Sequence, residues 1–372
     1  MRAVQEAGAP LDDEFASMMD ECVQCRGCEP VCPAFVPFGR LMEGAREALD
    51  QRRVGRSRLR RAAEWAAYRV VLPRHRVLLV LTWLAWALQR LRLLPRRGPR
   101  ALPPLSARSL ARPLRSSSGA GDAVVLFTGC VMDAWMRDVH RCAVDVVEAA
   151  GAAVRFPGRG GDCCGALHVH AGRLDHARAL ARRVMASMVG DAPILVDSAG
   201  CGAAMQDYGR LLGTAEAEAF AARVVDIDTW LASRTLPLRS GGGSVVVQDP
   251  CHLRNAQRAE GRVRDVLGAA YSIVETDDEG LCCGAGGAYA ALQPGLSGAI
   301  RDRKVAAIAH VGGEGAVVAS ANPGCLLHLR AAGVDARHPV ELLAAALARG
   351  ERGTENTGKT ENTGNTGGAH GA

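Results

Sequence analysis

Aromatic side chains are scarce here, at five Trp, four Tyr and six Phe in 372 residues. Long apolar runs are missing too. The uncharged stretch 77–89 has thirteen residues, short of the ~20 that a membrane-spanning helix takes. The opening residues, Met1-Arg2-Ala3-Val4-Gln5-Glu6, hold no apolar core of a signal peptide, and none is expected. There is no Walker A run, no His-Glu-x-x-His and no Gly-x-Ser-x-Gly. Gly284-x-Gly286-x-x-Tyr289 lacks the third glycine and the strand–turn–helix setting of a dinucleotide fingerprint. With no flavin or nicotinamide site legible, any oxidation of a substrate is expected on another subunit.

Thirteen cysteines in 372 residues fall well below the ~8–10% of a short disulfide scaffold. Thiols at this density point to metal or redox chemistry in a cytoplasmic setting. The hydrophobic share, 48%, suits a globular chain with room for two or three domains. The net charge of +6 is unevenly spread: residues 51–100 carry fourteen Arg against the single acid Glu64, a net +13, so the remainder is acidic.

The expected layout is a ferredoxin-type segment at 1–50, with a helix over 39–49, and a basic, Trp-bearing helical segment at 51–97. A Pro- and Ser-rich linker follows at 98–122. Two α/β units occupy 123–240 and 244–346, and a tail of Thr-Glu-Asn-Thr-Gly repeats at 350–372 is expected to be without structure.

Cys22-x-x-Cys25-x-x-Cys28-x-x-x-Cys32-Pro33 has the spacing of the bacterial ferredoxin run, in which three thiolates wrap one cubane and the fourth reaches another. Structural zinc instead joins two separated Cys-x-x-Cys knuckles. A [4Fe–4S] cluster is therefore expected on Cys22, Cys25, Cys28 and Cys32. A second such run is missing. Either an outside group completes the site, or the natural chain begins upstream of Met1 and carries another run.

The two α/β units are an internal repeat. Cys130, Cys163-Cys164-Gly165 and Cys201 recur as Cys251, Cys282-Cys283-Gly284 and Cys325, at offsets of 121, 119 and 124 residues. Short apolar runs at 124–127, 194–196, 245–247 and 317–319 precede Cys130, Cys201, Cys251 and Cys325. Helical patterns, including 174–188 and 296–310, lie between. This alternation predicts a small parallel sheet per unit, with the cysteines meeting where strand carboxyl ends place ligands. Each repeat thus offers four sulfurs, enough for a metal or cluster, and Gly165 and Gly284 permit close approach of a bulky group. Cys142, on the apolar face made with Val139, Val146 and Val147, reads as core. His252 and His328 read as hydrogen-bonding neighbours of the thiols.

The stretch 77–89 holds Trp83 and Trp86 and is bracketed by Arg74, Arg76, Arg90 and Arg92. It reads either as a helix packed between domains or as an interfacial helix on anionic lipid or an acidic partner. No nucleic-acid motif accompanies the arginines, and no nucleic-acid partner is expected.

The run from Cys22 to Pro33, followed by Phe38-Gly39-Arg40-Leu41-Met42-Glu43, resembles the second cluster motif of glycolate oxidase iron–sulfur subunits. Phe127-Thr128-Gly129-Cys130-Val131, Cys163-Cys164-Gly165, Ser198-Ala199-Gly200-Cys201-Gly202, Asp249-Pro250-Cys251-His252-Leu253, Cys282-Cys283-Gly284-Ala285-Gly286 and Asn322-Pro323-Gly324-Cys325-Leu326 resemble that family's paired-cysteine (CCG) domains. Heterodisulfide reductase and lactate-utilisation iron–sulfur subunits are related. The resemblance implies an α/β fold, in which a helical ferredoxin-type motif precedes two Rossmann-like cysteine-rich units. It implies further iron–sulfur centres at Cys130, Cys163, Cys164, Cys201, Cys251, Cys282, Cys283 and Cys325, and no catalytic residue of this chain's own. The partner implied is an FAD-containing 2-hydroxy-acid dehydrogenase subunit, with a quinone-type acceptor, in the cytoplasm or on the cytoplasmic face of the membrane. Two alternatives remain: a disulfide-reducing subunit of the heterodisulfide reductase kind, and a membrane-anchoring iron–sulfur subunit of a glycerol-3-phosphate or lactate dehydrogenase. Against the first, Cys201-Gly202-Ala203-Ala204 and Cys325-Leu326-Leu327-His328 lack the second cysteine that heterodisulfide reductase relatives place there for a five-cysteine noncubane cluster.

Overall fold

Runs such as Val124-Val125-Leu126-Phe127 have no polar face, as a strand covered on both sides by helices requires. In the computed structural model, which describes residues 1, 6, 8, 10–52, 57–94, 104–117, 121–278 and 280–357, these runs form two four-stranded sheets. The first contains β1 (Ala123–Phe127), β2 (Ala153–Arg155), β3 (Ile194–Val196) and β4 (Val224–Asp226), in the order β2-β1-β3-β4. The second contains β5 (Ser244–Val247), β6 (Ser272–Glu275), β7 (Val317–Ala319) and β8 (Asp335–Arg337), in the order β6-β5-β7-β8. Every pairing is parallel; Leu126 sits opposite Leu195, and Val247 opposite Ala319.

The order matters for function. The chain leaves β1 toward β2 on one side, and leaves β3 toward β4 on the other. Between β1 and β3, and again between β5 and β7, the connections diverge and open a crevice beyond the carboxyl ends of the strands. The α/β class and the repeated parallel sheets expected from the cysteine pattern are what the chain adopts. The helices expected over 39–49, 174–188 and 296–310 span Phe38–Arg52, Leu174–Ser187 and Pro294–Gly312.

The two units are not independently packed. Val146 and Val147, on helix Arg137–Ala149, share one apolar core with Leu343 and Ala346 of the last helix, Pro339–Thr357. Trp230 and Leu231 of the first unit join the same core with Val263 and Leu267 of the second. The Ser-Gly-Gly-Gly-Ser stretch at 240–244 is therefore a connection across a continuous interior.

Two expectations need correction, and a third gains detail. Residues 104–117 are no free tether: Leu110 is buried, Arg137 donates to its carbonyl (2.8 Å), and Ser117 brackets Val154 by two hydrogen bonds. Backbone groups laid along a sheet edge and a helix are thereby satisfied. The last helix runs to Thr357, into the stretch expected to lack structure, since no proline interrupts it; 358–372 lie outside the described residues. The basic segment is helical over Arg58–Trp65 and His75–Arg90, but a π-helical turn at Ala66–Val71 and a bend of 111° divide it. No single helix among the described residues is long and apolar enough to cross a membrane.

Candidate metal centres

In the first repeat, Cys130 follows β1 and Cys201 lies in the first turn of the helix after β3 (Ala199–Gln206), so the two flank the crevice. The pair Cys163-Cys164 arrives from the loop after β2. Gly165 turns that loop in the left-handed region (φ +84°) and lets helix Ala166–His170 start against Ala177. Cys130 and Cys163 share a hydrogen bond that pushes the Cys130 thiol up, with burial adding to it. Cys164 is pushed up in the same way by Cys201 and by burial. The Tyr208 hydroxyl donates to the Cys164 carbonyl (2.7 Å) and fixes the loop from below.

The second repeat reproduces the arrangement. Cys251 follows β5, Cys325 lies in the first turn of helix Pro323–Arg330 after β7, and Cys282-Cys283 come from the loop after β6, with Gly284 at φ +85°. The thiols form a chain. Cys251 bonds Cys282, Cys282 bonds Cys283, and the Cys283 thiol donates to Cys325 Sγ at 2.9 Å. The bond with Cys282 and burial push Cys251 up. Against the bond with Cys282, which lowers it, the bond to Cys325 and burial push Cys283 up.

Cys163 alone is lowered, by its bond with Cys130 against burial and with help from Arg183; Cys130, Cys164, Cys251, Cys282 and Cys283 are all raised and are costly as ionised groups on their own. A soft cation that accepts the thiolates removes that cost. Among the described residues no three His, Cys, Asp or Glu side chains are drawn together as tightly as one metal ion requires. The donors around each crevice are four sulfurs, the ligand type that iron–sulfur groups take.

The N-terminal run forms a third set. Cys22, Cys25 and Cys28 lie within electrostatic reach of one another, with burial raising Cys25 and Cys28. Cys32 stands apart from them. Its sulfur accepts backbone N–H groups of Val36, Ala34 and Phe35, which lower its pKa. Cys28 is exposed, whereas Cys22 and Cys25 are partly buried.

The three sets are joined by contacts that sequence reasoning missed. Asn255, four residues past Cys251, donates to the Cys25 carbonyl (2.8 Å), and Cys251 is close enough to raise the Cys25 pKa. Tyr289 donates to the Glu21 carbonyl (2.9 Å), next to Cys22. Gly286 lies so close to Val23 that a Cβ would stand 2.7 Å from its Cγ2. From the first repeat, the His170 carbonyl accepts from Gln24 (2.9 Å) and Arg46 (2.8 Å), and the His170 ring stacks on His252. The run Gly284-x-Gly286-Gly287 was the available signal, since one turn glycine beside the cysteines does not account for three.

His252 Nδ1 lies 3.5 Å from Cys251 Sγ, and His328 pairs with Ser297 (3.1 Å). Cys142 is half-buried against the shared core, its thiol pushed to about 12 chiefly by burial. Helix His75–Arg90 covers the first repeat's site: Leu78 packs with Cys130 and Cys163, and Thr82 accepts from Trp135 (3.1 Å). His75 bonds Asp133 at 2.6 Å.

Two α/β repeats, each placing four thiols at a strand crevice, define a protein of repeated cysteine-rich domains. Comparison with known proteins agrees. The cysteine-rich domain family CCG matches residues 124–206 and 245–330. The probable glycolate oxidase iron–sulfur subunit of Bacillus subtilis is 30% identical over 365 residues, covering 89% of this chain and 81% of the relative. The glycolate oxidase iron–sulfur subunit of Escherichia coli is 30% identical over 346 residues, covering 89% and 82%. A fumarate reductase (CoM/CoB) subunit of Methanothermobacter marburgensis is 29% identical over 215 residues, covering 56% and 42%. The chain belongs to the family of glycolate oxidase iron–sulfur subunits. It is thus an iron–sulfur subunit of an oxidoreductase and works with a partner subunit.

Proposed function

We propose that this chain is the electron-transfer subunit of a glycolate (2-hydroxy-acid) oxidase. It takes electrons from an FAD-containing subunit and delivers them toward a quinone-type acceptor. The observation that carries this reading is the docking of the Cys22–Cys25–Cys28 set onto the second repeat through Asn255, Tyr289 and Gly286. It brings the first thiol set against the second repeat, as a route between centres requires. A [4Fe–4S] group on Cys22, Cys25 and Cys28, with Cys32 as the ligand that reaches another group, and iron–sulfur groups on the repeat cysteines, would supply one-electron chemistry there. The chain's own residues do the rest. The thiolates bind, Gly165 and Gly284 admit a bulky group, and Leu78 excludes water from the first repeat.

The test is reconstitution. Combined with its flavin subunit, the chain should couple glycolate oxidation to reduction of a soluble quinone, and alone it should oxidise no glycolate. Equal quinone reduction by the flavin subunit without this chain would contradict the reading.

A second feature favours attachment to the cytoplasmic face of a membrane. Helix His75–Arg90 packs one face on the first repeat and leaves Val80 (67%), Leu84 (55%), Trp83 and Leu81 exposed, with exposed Arg74, Arg76, Arg90 and Arg92 at its ends. An apolar stripe edged by arginine suits an anionic lipid surface. Co-sedimentation with anionic vesicles should fall in Val80→Asp/Leu84→Asp, and also in molar salt, where the Debye length is ~3 Å. Equal binding to neutral and anionic vesicles would rule this out.

A further inference from the structure

The two repeats carry the same four cysteines, yet their surroundings differ at one position. Three residues before Cys325 stands Asn322; three residues before Cys201 stands Ser198. Asn322 lies at the N-terminal end of helix Pro323–Arg330 with extended backbone, and it uses both ends of its amide. Its Oδ1 accepts from the Gly200 N–H (3.2 Å), beside Cys201 of the other repeat. Its Nδ2 lies 3.5 Å from Cys325 Sγ. The first contact settles the second. An N–H can only donate, so the oxygen must face Gly200 and the NH2 group must face the sulfur. Ser198 caps nothing on its own helix, and its hydroxyl makes no such bond to Cys201 among the described residues.

We propose that Asn322 sets the reduction potential of the centre in the second repeat by donating a hydrogen bond to its Cys325 ligand. The inference rests on the reading of the repeats as iron–sulfur sites. A hydrogen bond to a ligating sulfur draws off electron density and favours the more negative, reduced state, so it raises the potential. Cys325 is 3% exposed, where little water competes with such a bond and its effect is strengthened. The donor is held from the far side by the first repeat, so its direction cannot drift with the sulfur. Asn322 is thus a positioning residue acting through Cys325. The two centres are set apart although their cysteines match, with the second repeat the stronger electron acceptor for its ligand set.

The experiment is a redox titration of the anaerobically purified, iron-loaded full chain, followed by low-temperature paramagnetic resonance. Asn322→Ser installs the residue that the first repeat uses at this place. It should shift one midpoint to a more negative value, and that centre should be the one whose signal disappears in Cys325→Ala. The other centres should stay within error. Asn322→Asp keeps an oxygen for Gly200, removes the donor and adds a negative charge; its shift should be larger in the same direction. It also decides the matter if Asn322→Ser fails to load iron. An unmoved midpoint in a loaded variant, with the Cys325→Ala signal lost, overturns the inference alone. If Cys325→Ala keeps every wild-type signal and all its iron, the second repeat holds no centre, and the reading beneath the inference falls with it.

Discussion

The helix that covers the first repeat is pinned at Asp133, and the strength of that pin follows from the charges around it. Asp133, on helix Val131–Trp135, bonds His75 (2.6 Å) and is clasped by Arg137 through both oxygens (2.8 and 2.6 Å). Burial alone would raise its pKa, but the bonds from His75 and Arg137 outweigh that and hold it at about 2, against an ordinary 3.8. At about 1.4 kcal/mol for each unit of pKa, this is about 2.5 kcal/mol of stability. A depressed carboxylate gives its full contribution above the unfolded value of 3.8 and loses it as pH falls toward 2. Asp133→Asn should therefore cost about 2 kcal/mol at neutral pH. The gap to wild type should hold down to about pH 5 and close between roughly pH 4 and 2. Urea unfolding followed by tryptophan fluorescence reads this directly, because Trp135 bonds Thr82 at the same contact. A gap that is absent at pH 7, or that persists unchanged at pH 2, would refute the reasoning.

Gly284→Ala would place a Cβ 2.5 Å from the Ser297 carbonyl oxygen at a φ of +85°; it should cost at least about 2 kcal/mol and lower iron per chain, both readable by melting and iron analysis. Tyr208→Phe removes the bond to the Cys164 carbonyl and should cost about 1 kcal/mol, with the iron content kept. Cys142→Ala should cost on the order of 1 kcal/mol and leave iron and spectra as in wild type, since Cys142 packs on the shared core away from the other thiols.

Much of the site was legible because cysteine order and strand order are local properties. Val124-Val125-Leu126-Phe127 before Cys130, and Val245-Val246-Val247 before Cys251, announce buried parallel strands, and two copies of one motif series announce two sheets. What joins the thiol sets was not legible. Asn255 reaches Cys25 across 230 positions, and Tyr289 reaches Glu21 across 268; pairings at that distance leave no periodicity. By sequence, the stretch 77–89 fits a packed helix and an interfacial one equally. Its composition could not separate these readings, because Leu78 and Thr82 face the protein while Val80 and Leu84 face outward on the same turns. The linker misled for a related reason. Proline and serine mark irregular backbone, which can still lie along helix Arg137–Ala149 and β2 once its polar groups find partners.

The central claim is that the paired-cysteine repeats hold redox-active iron–sulfur centres alongside the one on the N-terminal run. Iron per chain, measured with low-temperature paramagnetic resonance on anaerobically purified Cys163→Ala, Cys282→Ala and Cys142→Ala, tests it most directly. The account predicts that the first two each lose iron and one signal, and that the third loses neither. If Cys163→Ala and Cys282→Ala keep wild-type iron and spectra, the repeats are not cluster sites and electrons pass through Cys22, Cys25, Cys28 and Cys32 alone.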